Sequence, residues 1–221
     1  MRGHAPGQRS MVDDQLSHDA LREFFGDAFE TLETFARELE AQGETRGLIG
    51  PREVGRIWER HILNSAALVP FMPSTGSIVD IGSGAGLPGL VIAAMLPQTS
   101  VTLVEPMERR CAWLTEMVTT LGLTNVEVKR GRAEEFHGAF EADVVTSRAV
   151  APLDKLARWS LPFLGPGGQL VILKGRGVVD EIGPARKVFK KAKMSEPEIL
   201  EARTIDGAEP TTVLRSIRAG G

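Results

Sequence analysis

The stretch Ile78-Val79-Asp80-Ile81-Gly82-Ser83-Gly84-Ala85-Gly86-Leu87-Pro88-Gly89 constrains this chain more than any other. An apolar, β-branched run leads into a loop with glycine at every second position, and then into a helical pattern. Glycines at such a junction let the backbone turn sharply and approach a ligand closely, while the free amides at the start of the next helix face it. A nucleotide-like cofactor is implied. The plainer alternative, a tight turn with no ligand, does not require so many glycines.

The remainder of the chain supplies the scaffold for that junction. After Ser77, strands are predicted at 77–81, 101–105, 126–129, 143–147, 169–173, near Ile199 and at 212–217, with helices at 87–96, 108–121, 152–163 and 178–191. Strands alternating with helices of this length predict an α/β fold with a doubly wound, mostly parallel seven-stranded sheet, covered on both faces and joined by right-handed crossovers. Upstream, Leu21, Phe24, Phe25, Ala28, Phe29, Leu32, Phe35 and Leu39 recur at helical spacing, which predicts one helix docked onto a core and stopped near Gly43. A second helix is expected from about Pro51 through Ile57, Trp58, His61, Ile62 and Leu68, ending near Pro70 or Pro73. The expected organisation is a flexible N-terminus at 1–16, a helical extension at 17–76 and one compact cofactor-binding unit at 77–221.

Charge and cysteine usage narrow the function classes. A formal net charge of -3 excludes a uniformly basic nucleic-acid binder, but residues 155–193 carry Lys155, Arg158, Lys174, Arg176, Arg186, Lys187, Lys190, Lys191 and Lys193 against only Asp180 and Glu181. That run is either a solvated helix face or a surface for a polyanion. The single cysteine, Cys111, excludes an internal disulfide and a thiolate zinc site; it fits a reducing compartment, and its place beside Trp113 and Leu114 suggests the core. No metal site is expected. Pro88 and Pro97 interrupt the most apolar stretch, 87–104, and the first ten residues lack the apolar centre of a signal peptide, so a cytoplasmic protein without a membrane span is expected.

The segment Gly84-Ala85-Gly86-Leu87-Pro88-Gly89 fits the dinucleotide pattern GxGxxG, so the cofactor is at first ambiguous. Asp80 decides against a dinucleotide. Two residues before the first glycine, a carboxylate repels a pyrophosphate but attracts the ammonium or sulfonium of S-adenosylmethionine. Glu105, at the predicted end of the second strand, is placed to accept hydrogen bonds from ribose hydroxyls and suits either adenosine cofactor. Ala133 and Glu134 follow the third strand, where they either bracket an adenine ring or cap a short helix. Arg148 follows the fourth strand, where it is either a snorkelling surface residue or a bidentate grip for a carboxylate such as that of methionine.

Together these residues resemble the ribosomal small-subunit RNA methyltransferase G family, also called the glucose-inhibited division protein B family. The resemblance is carried by Trp58-Glu59-Arg60-His61-Ile62-Leu63-Asn64-Ser65, by Asp80 to Gly89 with its Pro88, and by Arg132-Ala133-Glu134-Glu135-Phe136, Ser147-Arg148-Ala149 and Leu173-Lys174-Gly175 in order, over about 19–217. It implies a class I S-adenosylmethionine-dependent methyltransferase, with cofactor contacts at Gly82, Leu87, Ala133, Glu134 and Arg148, beside Asp80 and Gly84 of the loop segment and Glu105 at the end of the second strand. Glu105 stands where many relatives have Asp, and Ala208-Glu209-Pro210-Thr211-Thr212 stands where many have a basic residue.

The implied reaction is methyl transfer to N7 of a guanine, the guanine-527 position, in the decoding-region loop of 16S ribosomal RNA. N7 offers a lone pair and carries no proton, so no general base is required and alignment supplies most of the rate. His61 is accordingly read as a packed, hydrogen-bonded residue. Lys174 is the candidate to stabilise O6, or else contacts a phosphate or solvent. The implied partner is 16S ribosomal RNA or the small-subunit particle, met by a monomer through the basic face at 155–193. A small-molecule methyltransferase, a nicotinamide-dependent dehydrogenase and a non-enzymatic RNA-binding module remain the rivals.

Overall fold

The β-branched runs after Ser77 all become strands of a single sheet. A computed structural model of the chain describes residues 16–148, 151–175 and 177–220. Residues 1–15, most of the expected flexible N-terminus, lie outside the described residues, as do Ala149 and Arg176. The strands are β1 (Gly76–Ile81), β2 (Thr99–Glu105), β3 (Val126–Arg130), β4 (Ala142–Thr146), β5 (Leu164–Leu173), β6 (Glu198–Ala202) and β7 (Thr211–Ile217). Their order is β3-β2-β1-β4-β5-β7-β6, parallel except for β7, which runs antiparallel to both β5 and β6. The chain thus reverses direction across the sheet between β1 and β4, and ligands of open α/β sheets bind beyond the carboxyl ends of strands at such a switch point.

Strand alternation divides the core in two. Ile78, Val101, Leu103, Val144, Val171 and Val213 belong to one apolar cluster, whereas Val79, Ile81, Val104, Val145, Leu170, Ile172 and Leu214 belong to the other. Successive side chains point to opposite faces, so strands covered on both sides need apolar residues at consecutive positions. The covering helices are α4 (Gly89–Met95), α5 (Glu108–Thr120), α6 (Leu153–Ser160) and α7 (Val178–Lys191). Among the described residues no helix is long and apolar enough to cross a membrane.

The extension departs from the two continuous helices expected of it. The first is broken into α1 (His18–Phe25) and α2 (Phe29–Gln42) by a 3₁₀ turn at Gly26–Ala28, because Gly26 takes φ 51°, a left-handed value that ends a right-handed helix. Residue Gly43 follows α2, as expected. The second becomes a 3₁₀ turn at Val54–Arg56, a π-helical stretch at Trp58–Leu63 and a short α3 (Asn64–Ala66). Pro51 does not start a helix there; the Glu53 carboxylate instead accepts the Gly50 N–H at 2.9 Å and closes a turn. Phe25, Phe29, Leu32, Phe35, Leu39, Trp58 and Ile62 are buried in the same cluster as Ile78 and Leu90.

Candidate functional site

The glycine loop is held from three sides. Gly82 N–H donates to the Val104 carbonyl at 2.8 Å, Gly84 N–H to Glu105 Oε2 at 2.9 Å, and Trp113 Nε1 to the Ala85 carbonyl at 2.9 Å. The other oxygen of Glu105, Oε1, accepts the Met107 N–H at 2.9 Å, and the side chain is only 2% exposed. A carboxylate has about four lone-pair directions, so two amide bonds leave capacity for a ribose hydroxyl. Gly82 and Gly84 take φ 71° and 54°, which lets the backbone carry this curvature without strain.

In front of the loop, beyond the ends of β1, β2 and β3, lies a crevice of about 560 Å³ lined by Gly82, Glu105, Met107, Arg110, Ala133, Glu134, Lys155 and Trp159. The capping role belongs not to Glu134 but to its neighbour: Glu135 Oε1 accepts the Arg132 N–H at 2.9 Å, and Glu134 is exposed on the crevice wall. Sequence reasoning missed Met107, Arg110 and Trp159 here. Only Met107 carried a signal, its position two residues past Glu105. Cys111, buried as expected, donates its thiol to the Glu105 carbonyl at 3.0 Å.

Asp80 and Leu87 lie beneath the loop, outside this crevice lining. Strand alternation puts Asp80 on the face of Ile78, where it is fully buried; its Oδ2 accepts the Gly89 N–H at 3.1 Å and its Oδ1 has no protein partner. A Cβ on Gly89 would collide with Leu103 and stand 2.7 Å from Asp80 Oδ2, so glycine is what brings the start of α4 onto the carboxyl group. Burial pushes Asp80 up to about 7, with the nearby Glu105 charge acting in the same direction and the Gly89 bond against it. Leu87 is packed into the core at 7% exposure.

Arg148 and Lys174 stand apart from the crevice, in a second cavity of about 400 Å³ beyond the ends of β4 and β5. The extension closes it with Glu53, Arg60 and Asn64, and Thr211 donates to Asn64 Oδ1 at 2.7 Å across the wall. Arg148 Nη1 is buried without a protein partner, and burial lowers the guanidinium pKa. Lys174 is not a free ammonium: it donates to Glu181 Oε2 at 2.7 Å and to the Ala151 carbonyl at 2.8 Å, with 6% of its side chain exposed. His61 is buried as expected, but neither ring nitrogen has a hydrogen-bond partner, and Nε2 stands 3.6 Å from Glu53 Oε1. Burial, then the Arg148 charge, lowers its pKa to about 4.

The model of the family described as rRNA small subunit methyltransferase G matches residues 28–205. The chain belongs to that family. A ribosomal RNA small subunit methyltransferase G of Bifidobacterium adolescentis is 47% identical, covering 93% of this chain and 96% of that protein. One of Thermobifida fusca is 45% identical, covering 93% of this chain and 86% of that protein. Among solved structures, a SAM-dependent O-methyltransferase of Thermotoga maritima aligns with a TM-score of 0.59 at 16% identity, over 85% of this chain and 72% of that one, and so shows the shared class I methyltransferase fold. Among the described residues no three His, Cys, Asp or Glu side chains gather as a metal site would require.

The basic run is less uniform than its sequence. Arg158 pairs with Asp154 at 3.7 Å, Arg186 with Glu196 at 3.6 Å, and Lys174 is withdrawn as described, while Lys187, Lys190, Lys191 and Lys193 are exposed on and just after α7.

His61 and Asp80 give pH dependences of opposite sign. Between pH 6.5 and about 4 the unfolded chain protonates His61 and the folded chain does not, so that contribution to stability is lost as pH falls through the window. Folded Asp80 keeps its proton up to about 7 although the unfolded chain releases it above 3.8, so stability is lost there as pH rises. Asp80→Asn removes only the second effect. Its stability relative to the parent is expected to improve steadily from pH 4 to pH 7 in urea unfolding, and a difference independent of pH would refute the shift.

Proposed function

We propose that this chain transfers the methyl group of S-adenosylmethionine to N7 of a guanine, the guanine-527 position in the decoding-region loop of 16S ribosomal RNA. The observation that carries the reading is the pairing of an adenosine-sized crevice under a carboxylate-braced glycine loop with a separate polar cavity at the same end of the sheet. The crevice volume lies within the range of small-molecule sites, and its residues fit the cofactor in kind. Glu105 would take the ribose, Ala133 and Glu134 the adenine, and Gly82, Gly84 and the Leu87 backbone the methionine end. Arg148, with its free Nη1, would take the methionine carboxylate from the side of the second cavity, and Asp80, held up to about 7 by burial, would balance the positive sulfur from below once it has released its proton.

The cofactor, when bound, supplies a methyl group on a sulfonium that needs no prior activation. The chain's own task is therefore placement. Guanine N7 has a lone pair and no proton, so nothing in the protein needs to remove one, and a His61 held neutral and buried is consistent with that. The exposed lysines of α7 would contact phosphates and make binding of 16S ribosomal RNA, or the small-subunit particle, weaken steeply with salt.

The assignment is tested by mapping N7-methylguanine in ribosomal RNA from cells with and without the protein. Loss of one modified guanine on deletion, restored by the intact gene, is expected; full modification without the protein would remove the reading. A second test uses the loop. A Cβ at Gly84 would meet nothing closer than the Gly82 carbonyl at 3.7 Å, so Gly84→Val adds bulk to the cradle at the cost of a left-handed backbone, about 1–2 kcal/mol. Calorimetry is expected to show S-adenosylhomocysteine affinity lowered at least roughly tenfold, an effect of about 1.4 kcal/mol or more, in a protein that still folds.

A further inference from the structure

The second cavity is built, polar and of mixed charge. Its walls include Glu53, Arg60 and Asn64 from the extension, Arg148 and Lys174 from the strand ends, and Thr211 from β7. A hole for a phosphate would exclude a carboxylate from its lining, and a hole for an apolar group would exclude both signs. A ligand with donors along one edge and acceptors along another suits this lining, and a guanine base is such a ligand: N1–H and the 2-amino group donate, while O6 and N7 accept.

Among the described residues three carboxylates line the cavity, Glu53, Glu59 and Glu209; Glu59 is paired with Arg56, and Glu53 is fixed in place. Glu53 Oε2 takes the Gly50 N–H at 2.9 Å, and Oε1 lies 3.6 Å from the ring of His61, a buried neighbour that burial keeps neutral at physiological pH. The carboxylate is 44% exposed. The ring belongs to the π-helical stretch Trp58–Leu63, and such irregular turns occur often at functional sites. The Thr211 to Asn64 bond ties α3, which continues directly from that stretch, to β7, so the carboxylate stands on a braced wall.

We propose that Glu53 is the residue that selects the target base, accepting hydrogen bonds from N1–H and the 2-amino group of guanine while N7 is left open toward the cofactor crevice. The inference rests on the assignment above of guanine as acceptor. It also accounts for charge: one bond forms between N7 and the methyl carbon, one breaks between that carbon and sulfur, and the positive charge moves from sulfur onto the purine. A carboxylate on the donor edge stabilises the purine as that charge arrives, whereas an ammonium at O6 would oppose it. Lys174, its charge offset by Glu181, does not stand in that role. Adenine, with a lone pair at N1, would face the carboxylate with like polarity and be rejected.

The test compares small-subunit particles assembled with RNA bearing guanosine or inosine at the methylated position, since inosine lacks only the 2-amino group. The parent enzyme is expected to favour guanosine by roughly tenfold in kcat/KM, the scale of one lost hydrogen bond. Glu53→Gln should lower kcat/KM on guanosine about 100-fold, bring the guanosine-to-inosine ratio close to one, and leave S-adenosylhomocysteine affinity within about twofold. Should that variant fold poorly, Glu53→Asp, which keeps the charge but withdraws it, is expected to narrow the ratio partway. A ratio unchanged from the parent in a folded variant overturns the proposal, as does a lost cofactor affinity with the ratio retained. A parent enzyme that methylates no guanine N7 in these particles would instead sink the assignment on which the proposal rests.

Discussion

Glu105→Ala is expected to weaken S-adenosylhomocysteine binding by about 100-fold or more, the largest effect of any single change in the crevice. The carboxylate is 2% exposed and bonds the Gly84 and Met107 amides at 2.9 Å each, so it shapes the loop before any ligand arrives. Truncation leaves two amides short of an acceptor, each at about 1–3 kcal/mol where water does not reach, and removes the group proposed to hold the ribose. A summed loss near 3 kcal/mol corresponds to about two orders of magnitude in affinity. Glu105→Gln separates the parts: one amide acceptor survives and the charge does not, so an intermediate loss is expected. Isothermal calorimetry reads both variants, and an alanine variant that binds as tightly as the parent would show that the loop is preformed without its brace. Unfolding midpoints should fall in both, further in Glu105→Ala, which leaves both amides without an acceptor.

The sheet was legible because parallel strands buried on both faces have to be written as runs of Val, Ile and Leu, and those runs stand out between glycines and prolines. Where that pressure relaxes, legibility falls. The edge strand β6 pairs only with β7 and leaves Glu198, Ile199 and Glu201 exposed or half-exposed, so its sequence alternates weakly and its limits were indistinct. Strand β5 starts at Leu164 rather than near Gln169, with Gly165-Pro166-Gly167-Gly168 inside it and a register shift opposite Ala142 and Val144; glycine and proline there read as a turn. In the extension, helical spacing continues across Gly26, and periodicity alone does not register a break that one left-handed glycine makes.

The site was legible where function is carried by backbone and sequence position, as in the loop and Glu105. It was not legible where the outcome depends on side chains from distant segments meeting in space. Asp80 and Ile78 share one strand face, a parity visible in the sequence, but whether that face is filled by a ligand or by the start of α4 depends on Gly89 packing against Leu103. Lys174 looked like a free cation because its partner, Glu181, comes from the next helix. The same holds for His61 beside Glu53 and for Asn64 with Thr211, pairs that only the folded extension brings together.

Trp58→Ala is expected to cost about 3–5 kcal/mol of stability, the usual range for truncating a buried aromatic side chain. Trp58 is 1% exposed and stacks on Phe29 with ring centroids 5.9 Å apart and an interplanar angle of 12°, while Phe25 lies against it at the same separation. These contacts join α1 and α2 to the π-helical stretch, and through it to the wall that carries Glu53. Loss of the ring leaves a cavity between these elements, and among the described residues no other aromatic pair joins α1 or α2 to the π-helical stretch. The crevice is built from the ends of β1 to β3, so a folded Trp58→Ala protein at low temperature is expected to bind S-adenosylhomocysteine within a few-fold of the parent, while methyl transfer to RNA falls much further. Trp58→Phe keeps most of the stacked surface and, because Trp58 Nε1 has no protein partner, sacrifices no hydrogen bond, so about 1–2 kcal/mol is expected. Urea unfolding and calorimetry on the same preparations distinguish the two losses. Equal falls in cofactor binding and methyl transfer would show that the extension supports the crevice itself and does more than shape the acceptor wall.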